Sequence, residues 1–202
     1  MKRTEKKRKD IIEAAVEEFR QYGFEGARTT RIAKSAEVSS RTLYNHFPTK
    51  DALFDEIVEI IIAETGAICS APFDPLKPVR PQLVQSLEDY IAAITDDRYM
   101  GLNRMVMTEY LRDVELARRI FARTEMSNNP VRSIVSEAIA AGLLVDVDPD
   151  FATVLLTAGA KAFFFWPKFL IGADNESRSS AVIEDCVDMF LMKYQAKAQS
   201  SH

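Results

Sequence analysis

Four prolines fall within the eleven residues APFDPLKPVRP at 71–81, and no helix interior accommodates them. Each internal proline removes a backbone donor and drives its ring into the preceding turn, at about 3 kcal/mol or more. The rest of the 202-residue chain reads as helix: its seven glycines leave few hairpin turns, and no run of alternating apolar and polar residues persists. These features predict an all-α chain of about nine helices with a linker at the proline-rich segment.

Upstream of that segment, a first helix is expected over roughly 4–22, with Ile12, Ala15, Val16 and Phe19 on one face and Gly23 as its stop. Two short helices follow at about 29–36 and 40–46, where Thr29 and Ser39 are candidate N-caps whose hydroxyls accept a first-turn N–H. Pro48 ends the second, and Thr49 caps a long helix of about 50–69 striped by Leu53, Ile57, Ile60, Ile61 and Ile68. Downstream, helices are expected at about 82–96, 100–113, 114–127 and 130–144. Asp148 and Pro149 then open a helix reaching about 171, bent at Pro167. A last helix of roughly 177–197 carries Ile183, Cys186, Val187, Phe190 and Tyr194 in register.

Net charge is −4, but its distribution is uneven. Residues 1–50 hold 12 Lys/Arg against 7 Asp/Glu, leaving 14 against 23 for the remainder. A basic head on an acidic body is the asymmetry expected when one end meets a polyanion. Cys69 and Cys186 form neither a disulfide framework nor a zinc spacing. They read as buried thiols of a cytoplasmic protein. Uncharged apolar runs fall short of the roughly 18 residues of a membrane span, and the N-terminus lacks the apolar core of a signal peptide. Glu17/Glu18 and Asp96/Asp97 read as solvated acids, and His46 has only His202 as a second histidine. No catalytic residue, cofactor or metal is expected, and neither a phosphate-binding glycine loop nor a nucleophile elbow occurs.

The stretch VSSRTLYNHFPTKDAL (38–53) crowds Arg41, Tyr44, Asn45 and His46 into one and a half turns. Solvated helix faces ordinarily use Glu, Lys and Gln. Two short helices joined by a tight turn behind a longer helix make a helix-turn-helix, whose second helix enters the major groove. Leu43 and Phe47 then anchor one face to Ile32, Ala33, Ala36 and Val38, and Ser40, Arg41, Tyr44 and Asn45 occupy the other. Arginine binds guanine bidentately and asparagine binds adenine, while Ser, Thr, Tyr and His serve phosphates.

The longer run TTRIAKSAEVSSRTLYNHFPTKDAL resembles the DNA-binding signature of the TetR family of transcriptional regulators. Thr29, Ile32, Ala33, Val38, Ser39, Leu43, Tyr44, His46, Phe47 and Lys50 to Leu53 carry the match, with Phe19, Gly23 and Phe24 ending the first helix. The resemblance is close over roughly residues 5–65; MGLNRMVMTEYLRDVELARRIF is more loosely similar to a C-terminal domain type of these regulators. It implies a DNA-binding domain at 5–65, with the motif at about 28–47, and a ligand-binding and dimerisation domain at 66–202. Phosphate contacts are implied for Thr29, Thr42, Tyr44, His46 and Lys50. Base-edge or groove contacts are implied for Thr30, Ser40, Arg41 and Asn45, with the role of Arg31 left open. Glu37 departs from the glycine that the family most often has in the turn; left-handed backbone there would cost it about 1 kcal/mol.

The same resemblance implies a homodimer, double-stranded operator DNA as partner and a small-molecule effector. Ala152, Leu155 and Gly159, with Val182 and Met189 on the last helix, are candidates for the subunit contact. Tyr90, Met105, Tyr110, Phe121, Phe163 and Trp166 are candidates for an adaptable apolar pocket. Core packing explains many of these residues equally well. The expected function is a ligand-responsive repressor; an activator of the same fold, or a helical binding protein or enzyme using the motif as scaffold, are the alternatives.

Overall fold

The computed structural model describes residues 3–67, 72–112, 114–115, 117–118, 129–174 and 179–196. Nine helices are delimited among them: α1 (Arg3–Gly26), α2 (Thr29–Ser35), α3 (Ser40–His46), α4 (Lys50–Ala67), α5 (Val79–Thr95), α6 (Asp97–Arg112), α7 (Pro130–Ala140), α8 (Pro149–Ile171) and α9 (Ser179–Tyr194). The expected all-α class holds. Ile68, Cys69, Phe121, His202 and much of the expected helix at 114–127 lie outside the described residues.

Helix boundaries follow local chemistry. Ser39 caps α3 by accepting the Thr42 N–H at 3.1 Å, and Thr49 accepts the Ala52 N–H at 3.0 Å to open α4. Asn129 and Asp148, each followed by proline, cap α7 and α8 in the same way. Thr29 does not cap α2: it is the first helical residue, and Arg28 occupies the cap position with no side-chain cap bond. α5 begins at Val79, earlier than expected, because Pro81 falls in its first turn, where backbone donors have no intrahelical acceptor. Gly23 breaks α1 with φ 68° and ψ 174°, a region essentially reserved for glycine. A Cβ there would meet nothing within 4 Å, so the backbone angles alone demand glycine.

In α8 the irregularity falls before Pro167 rather than at it. Lys161–Phe165 forms a π-helical turn in which the Trp166 N–H reaches Lys161 O. Pro167 has no N–H to give to the fourth carbonyl back and its ring would crowd that carbonyl; a widened turn relieves both problems.

Packing divides the chain into two units, Met1–Ala63 with Arg98–Phe121, and Glu64–Asp97 with Ala122–His202. In the first unit, Ile11, Ala15 and Phe19 of α1 meet Ile32 and Ala33 of α2, Leu43 and Phe47, and Leu53, Phe54 and Ile57 of α4. Phe19, Phe24 and Phe54 form a ring cluster with centroids 5.1–5.7 Å apart. Full burial of a phenylalanine of this kind contributes roughly 1.5–3 kcal/mol. Tyr99, Leu102, Met105 and Val106 bring α6 into the same core. One α6 residue is anomalous: Glu109 is 4% exposed, its Oε1 accepts no hydrogen bond, and Arg112 lies at 3.5 Å.

In the second unit α5 packs on α7 and α9, and α8 on α7 and α9. Arg80 of α5 grips Asp188 of α9 bidentately at 2.6 and 2.9 Å and reaches Glu184 at 3.2 Å. Arg132 pairs with Asp150, joining α7 to α8. An isolated antiparallel bridge, Leu144 to Gln195, fastens the loop after α7 to the end of α9. The expected α9 stripe of Ile183, Cys186, Val187, Phe190 and Tyr194 is buried throughout. A Cβ on Gly159 would lie 2.9 Å from Cys186 Sγ, so this glycine lets α8 approach α9 within one chain.

α8 is also long and apolar enough to cross a membrane by length and composition, yet only 28% of its most apolar window is buried within the chain. Phe151, Val154, Leu155, Trp166, Leu170 and Ile171 stand exposed along it.

Candidate nucleic-acid interface

α2 and α3 are joined by a turn that the backbone closes tightly. The N–H groups of Ala36, Glu37 and Val38 return to Ile32, Lys34 and Ala33 carbonyls at 2.9, 3.2 and 2.9 Å. Glu37 takes φ 53°, alone among described non-glycine residues in having positive φ. The left-handed turn is therefore kept despite the missing glycine. Leu43 and Phe47 sink into the core beside Ile32, Ala33 and Ala36, with Val38 half-buried. That anchoring leaves Ser40, Arg41, Tyr44 and Asn45 exposed, together with Thr30 at the start of α2.

Several of the expected phosphate ligands are tied to one another or to the scaffold. Thr29 Oγ1 and Tyr44 Oη lie 2.9 Å apart, linking the two helices of the motif. Thr42 and Ser39 hydroxyls are likewise 2.9 Å apart. Lys50 donates to Phe24 O at 2.7 Å and sits 4.3 Å from the centre of the Phe24 ring, which fixes its ammonium at the base of the motif. His46 is half-buried, its ring 6.4 Å from that of Phe47.

Arg31 is held differently. Its Nε donates to Glu18 Oε1 at 2.7 Å, its Nη2 to Gly26 O at 2.8 Å, and its guanidinium lies 4.2 Å from the centre of the Tyr22 ring. Glu18, expected among solvated acids, is only 8% exposed. Burial pushes its carboxyl up, but hydrogen bonds from Arg31 and the Arg28 N–H, with the charges of both arginines, bring it below its ordinary value. Neither residue carries a local sequence signal for this contact, since the partners are 13 positions apart.

Charge also favours one face. A surface groove between α1 and the turn is lined by Asp10, Glu13, Glu17, Glu18 and Glu37, with Lys6. An acidic lining of this kind disfavours a polyanion, and none of Arg41, Tyr44 and Asn45 belongs to it. Among the described residues no group of His, Cys, Asp and Glu is placed to hold a metal ion.

The candidates of the body are placed unevenly. Tyr90 is buried, with Lys161 Nζ 5.4 Å from its ring centre, and Phe163 is half-buried. Met105 is buried in the first unit's core and Tyr110 packs against it, while Trp166 is 42% exposed. Ala152 is fully buried in its own chain, so its small size serves packing there; Phe151 and Val154 hold the neighbouring exposed positions. Leu155, Gly159 and Met189 are exposed and Val182 is half-buried.

Two family models match the chain. Residues 11–57 match that of bacterial regulatory proteins of the tetR family, and residues 81–196 match the C-terminal domain of an AefR-like transcriptional repressor. A solved TetR family transcriptional regulator from Pseudomonas syringae pv. tomato str. DC3000 is 33% identical, with TM-score 0.77 over 94% of this chain and 97% of that one. The solved structure of the Flavonoid-responsive Regulator FrrA is 26% identical, with TM-score 0.81 over 95% of this chain and 98% of the other. Among curated proteins, the probable acrEF/envCD operon repressor of Escherichia coli (strain K12) is 25% identical over 92% of this chain and 87% of its own.

Proposed function

The chain belongs to the TetR family of bacterial regulatory proteins, and from that premise we propose that it represses transcription as a homodimer on a palindromic operator and is released by a small apolar or aromatic ligand. DNA binding and transcriptional repression are the family's activity. The observation that carries the proposal is the exposed face of α3, where Arg41 and Asn45 stand clear of a buried Leu43–Phe47 anchor. Major-groove reading requires this division of one helix into an anchored side and a side free to meet bases.

The apolar surface of α8 supports the homodimer. Leu155, Ala158, Ala162 and Trp166 are exposed at three- and four-residue spacing, and Met189 and Met192 are 63% and 88% exposed on α9. A contiguous apolar surface of this kind marks an association site, and a two-fold contact uses the same patch on both subunits. Leu155→Glu is expected to convert the dimer to a monomer in sedimentation velocity and to abolish tight operator binding.

Release by ligand rests on connectivity and on the aromatic content of the body. α4 joins α3 through Pro48 and Thr49 and continues past Ala63 into the second packing unit. Two half-sites about one DNA turn apart demand a separation of ~34–36 Å, so a shift of a few ångströms at α4 spoils simultaneous docking. The similarity to FrrA, which its name describes as flavonoid-responsive, supports an aromatic effector. Flavonoids and simpler aromatic acids are the compounds to screen by thermal shift, followed by operator titration. If every compound that stabilises the protein leaves operator affinity unchanged, induced release is contradicted. An effector that weakens operator binding must itself bind the operator complex more weakly by the same factor.

A further inference from the structure

α2 begins without a cap of its own. Arg28 occupies the cap position with extended backbone and has no side-chain oxygen to offer the first-turn donors. The helix start is held instead from α1, ten residues upstream, by one carboxylate oxygen: Glu18 Oε1 accepts the Arg28 N–H at 2.9 Å and the Arg31 Nε–H at 2.7 Å, and forms an ion pair with Arg31 Nη2 at 2.5 Å. The same guanidinium returns to Gly26 O and stacks on Tyr22, so one arginine links α1, the segment after Gly23 and α2. α3 in turn hangs on α2 through the closed turn at Ala36–Val38 and the Thr29–Tyr44 hydroxyl pair.

We infer that Glu18 and Arg31 are positioning residues for DNA reading: they set the placement of α2 and, through it, of Arg41 and Asn45, and Arg31 is not itself a phosphate contact. This rests on the DNA-binding reading above. The guanidinium fork suits the role because its planar donors fix direction as well as distance, which a lysine ammonium does not. Base readout needs side chains held within about half an ångström of their productive geometry by supporting contacts. Loss of Arg31 leaves the buried Glu18 carboxylate without its counter-charge. Loss of the Glu18 charge removes the acceptor that ties the Arg28 N–H and the partly exposed Arg31 guanidinium to α1. In either case α2 is free to shift against α1.

The experiment uses full-length protein, a duplex selected by the wild type from a randomised pool, and a scrambled duplex of equal length, well below the melting temperature. Glu18→Gln, Arg31→Ala, Arg31→Lys and the double variant Glu18→Gln/Arg31→Ala are compared. The expected result is a fall of about tenfold in the ratio of selected to scrambled affinity for each single variant, lysine included, with the double variant no worse than the weaker single. The log–log salt slope stays at its wild-type value, whereas one fewer neutralised phosphate would reduce it by about 0.9. The inference is overturned if Arg31→Ala weakens both duplexes equally with a smaller slope, or if melting temperature falls while the affinity ratio holds. Should the wild type bind neither duplex in a salt-dependent way, the DNA-binding reading fails and takes this inference with it.

Discussion

The hydroxyls of Thr29 and Tyr44, fifteen residues apart, meet at 2.9 Å across the helix-turn-helix. One hydroxyl donates to the other, so the pair keeps a single hydroxyl proton, on one of the two oxygens, to give to a phosphate. Phosphate contacts of this kind position the protein without reading sequence. Tyr44→Phe is therefore expected to weaken selected and scrambled duplexes by the same factor, with no change of salt slope because the hydroxyl is uncharged. Lys50→Ala is expected to weaken both and to lower the slope by about 0.9 for each phosphate it no longer neutralises. Competition titrations at several salt concentrations check both; a Tyr44→Phe effect confined to the selected duplex contradicts the assignment.

Arg41 and Asn45 should behave in the opposite way. Each alanine variant is expected to cost about 1–3 kcal/mol on the selected duplex and almost nothing on scrambled DNA. Equal weakening of both would move the residue from base reading to backbone contact.

Glu37 sits at φ 53° in the turn. Left-handed backbone costs a residue with a Cβ roughly 1–2 kcal/mol, part of which glycine gives back as chain entropy in the unfolded state. Glu37→Gly is expected to raise unfolding stability by up to about 1 kcal/mol, and Glu37→Val to lower it, in urea melts of the full chain. A Glu37→Gly variant less stable than the wild type contradicts the strain.

Much of this architecture was legible because its signals are local. Ser39 before α3, Asp148 with Pro149 before α8, and the α9 stripe all depend on neighbours within two turns. The face of α3 was legible for the same reason: Leu43 and Phe47, four apart, fix which side is buried. Contacts across sequence were not. An amphipathic stripe on α6 says that one side is covered, but not that Met105 and Tyr110 join the first unit rather than a pocket. Glu18 looked solvated because nothing near it in sequence announces Arg31. Thr29 looked like a cap because a hydroxyl before a helix ordinarily is one; its oxygen is taken by Tyr44 instead. Pro167 announced a distortion in α8, and only the three-dimensional turn reveals that the relief falls at Lys161–Phe165.

Acid should weaken the fold in a defined window. Hydrogen bonds from Arg80 hold Asp188, and those from Arg132 hold Asp150, below the ordinary carboxylate value, with burial opposing in each case. Glu18 is also lowered, its arginine contacts outweighing burial. A depressed folded-state pKa means that the unfolded chain binds more protons. The stabilisation is then complete above the ordinary value of about 4 and is lost as pH falls through the lowered ones. Urea midpoints are expected to be level from neutral pH to about pH 5 and to decline below about pH 4. Arg80→Ala should lower the plateau and make the decline shallower. A midpoint independent of pH over this range contradicts the pairing.

The central claim is that the basic first unit grips duplex DNA through α2, α3 and the start of α4, and salt tests it most directly. With about eight phosphates neutralised, the logarithm of the association constant is expected to fall against the logarithm of salt concentration with a slope of roughly −7. A fluorescence-anisotropy titration of the wild-type protein on the selected duplex, repeated from low to physiological salt, measures that slope. A straight line near this value supports the account; no duplex affinity, or an affinity indifferent to salt, contradicts it.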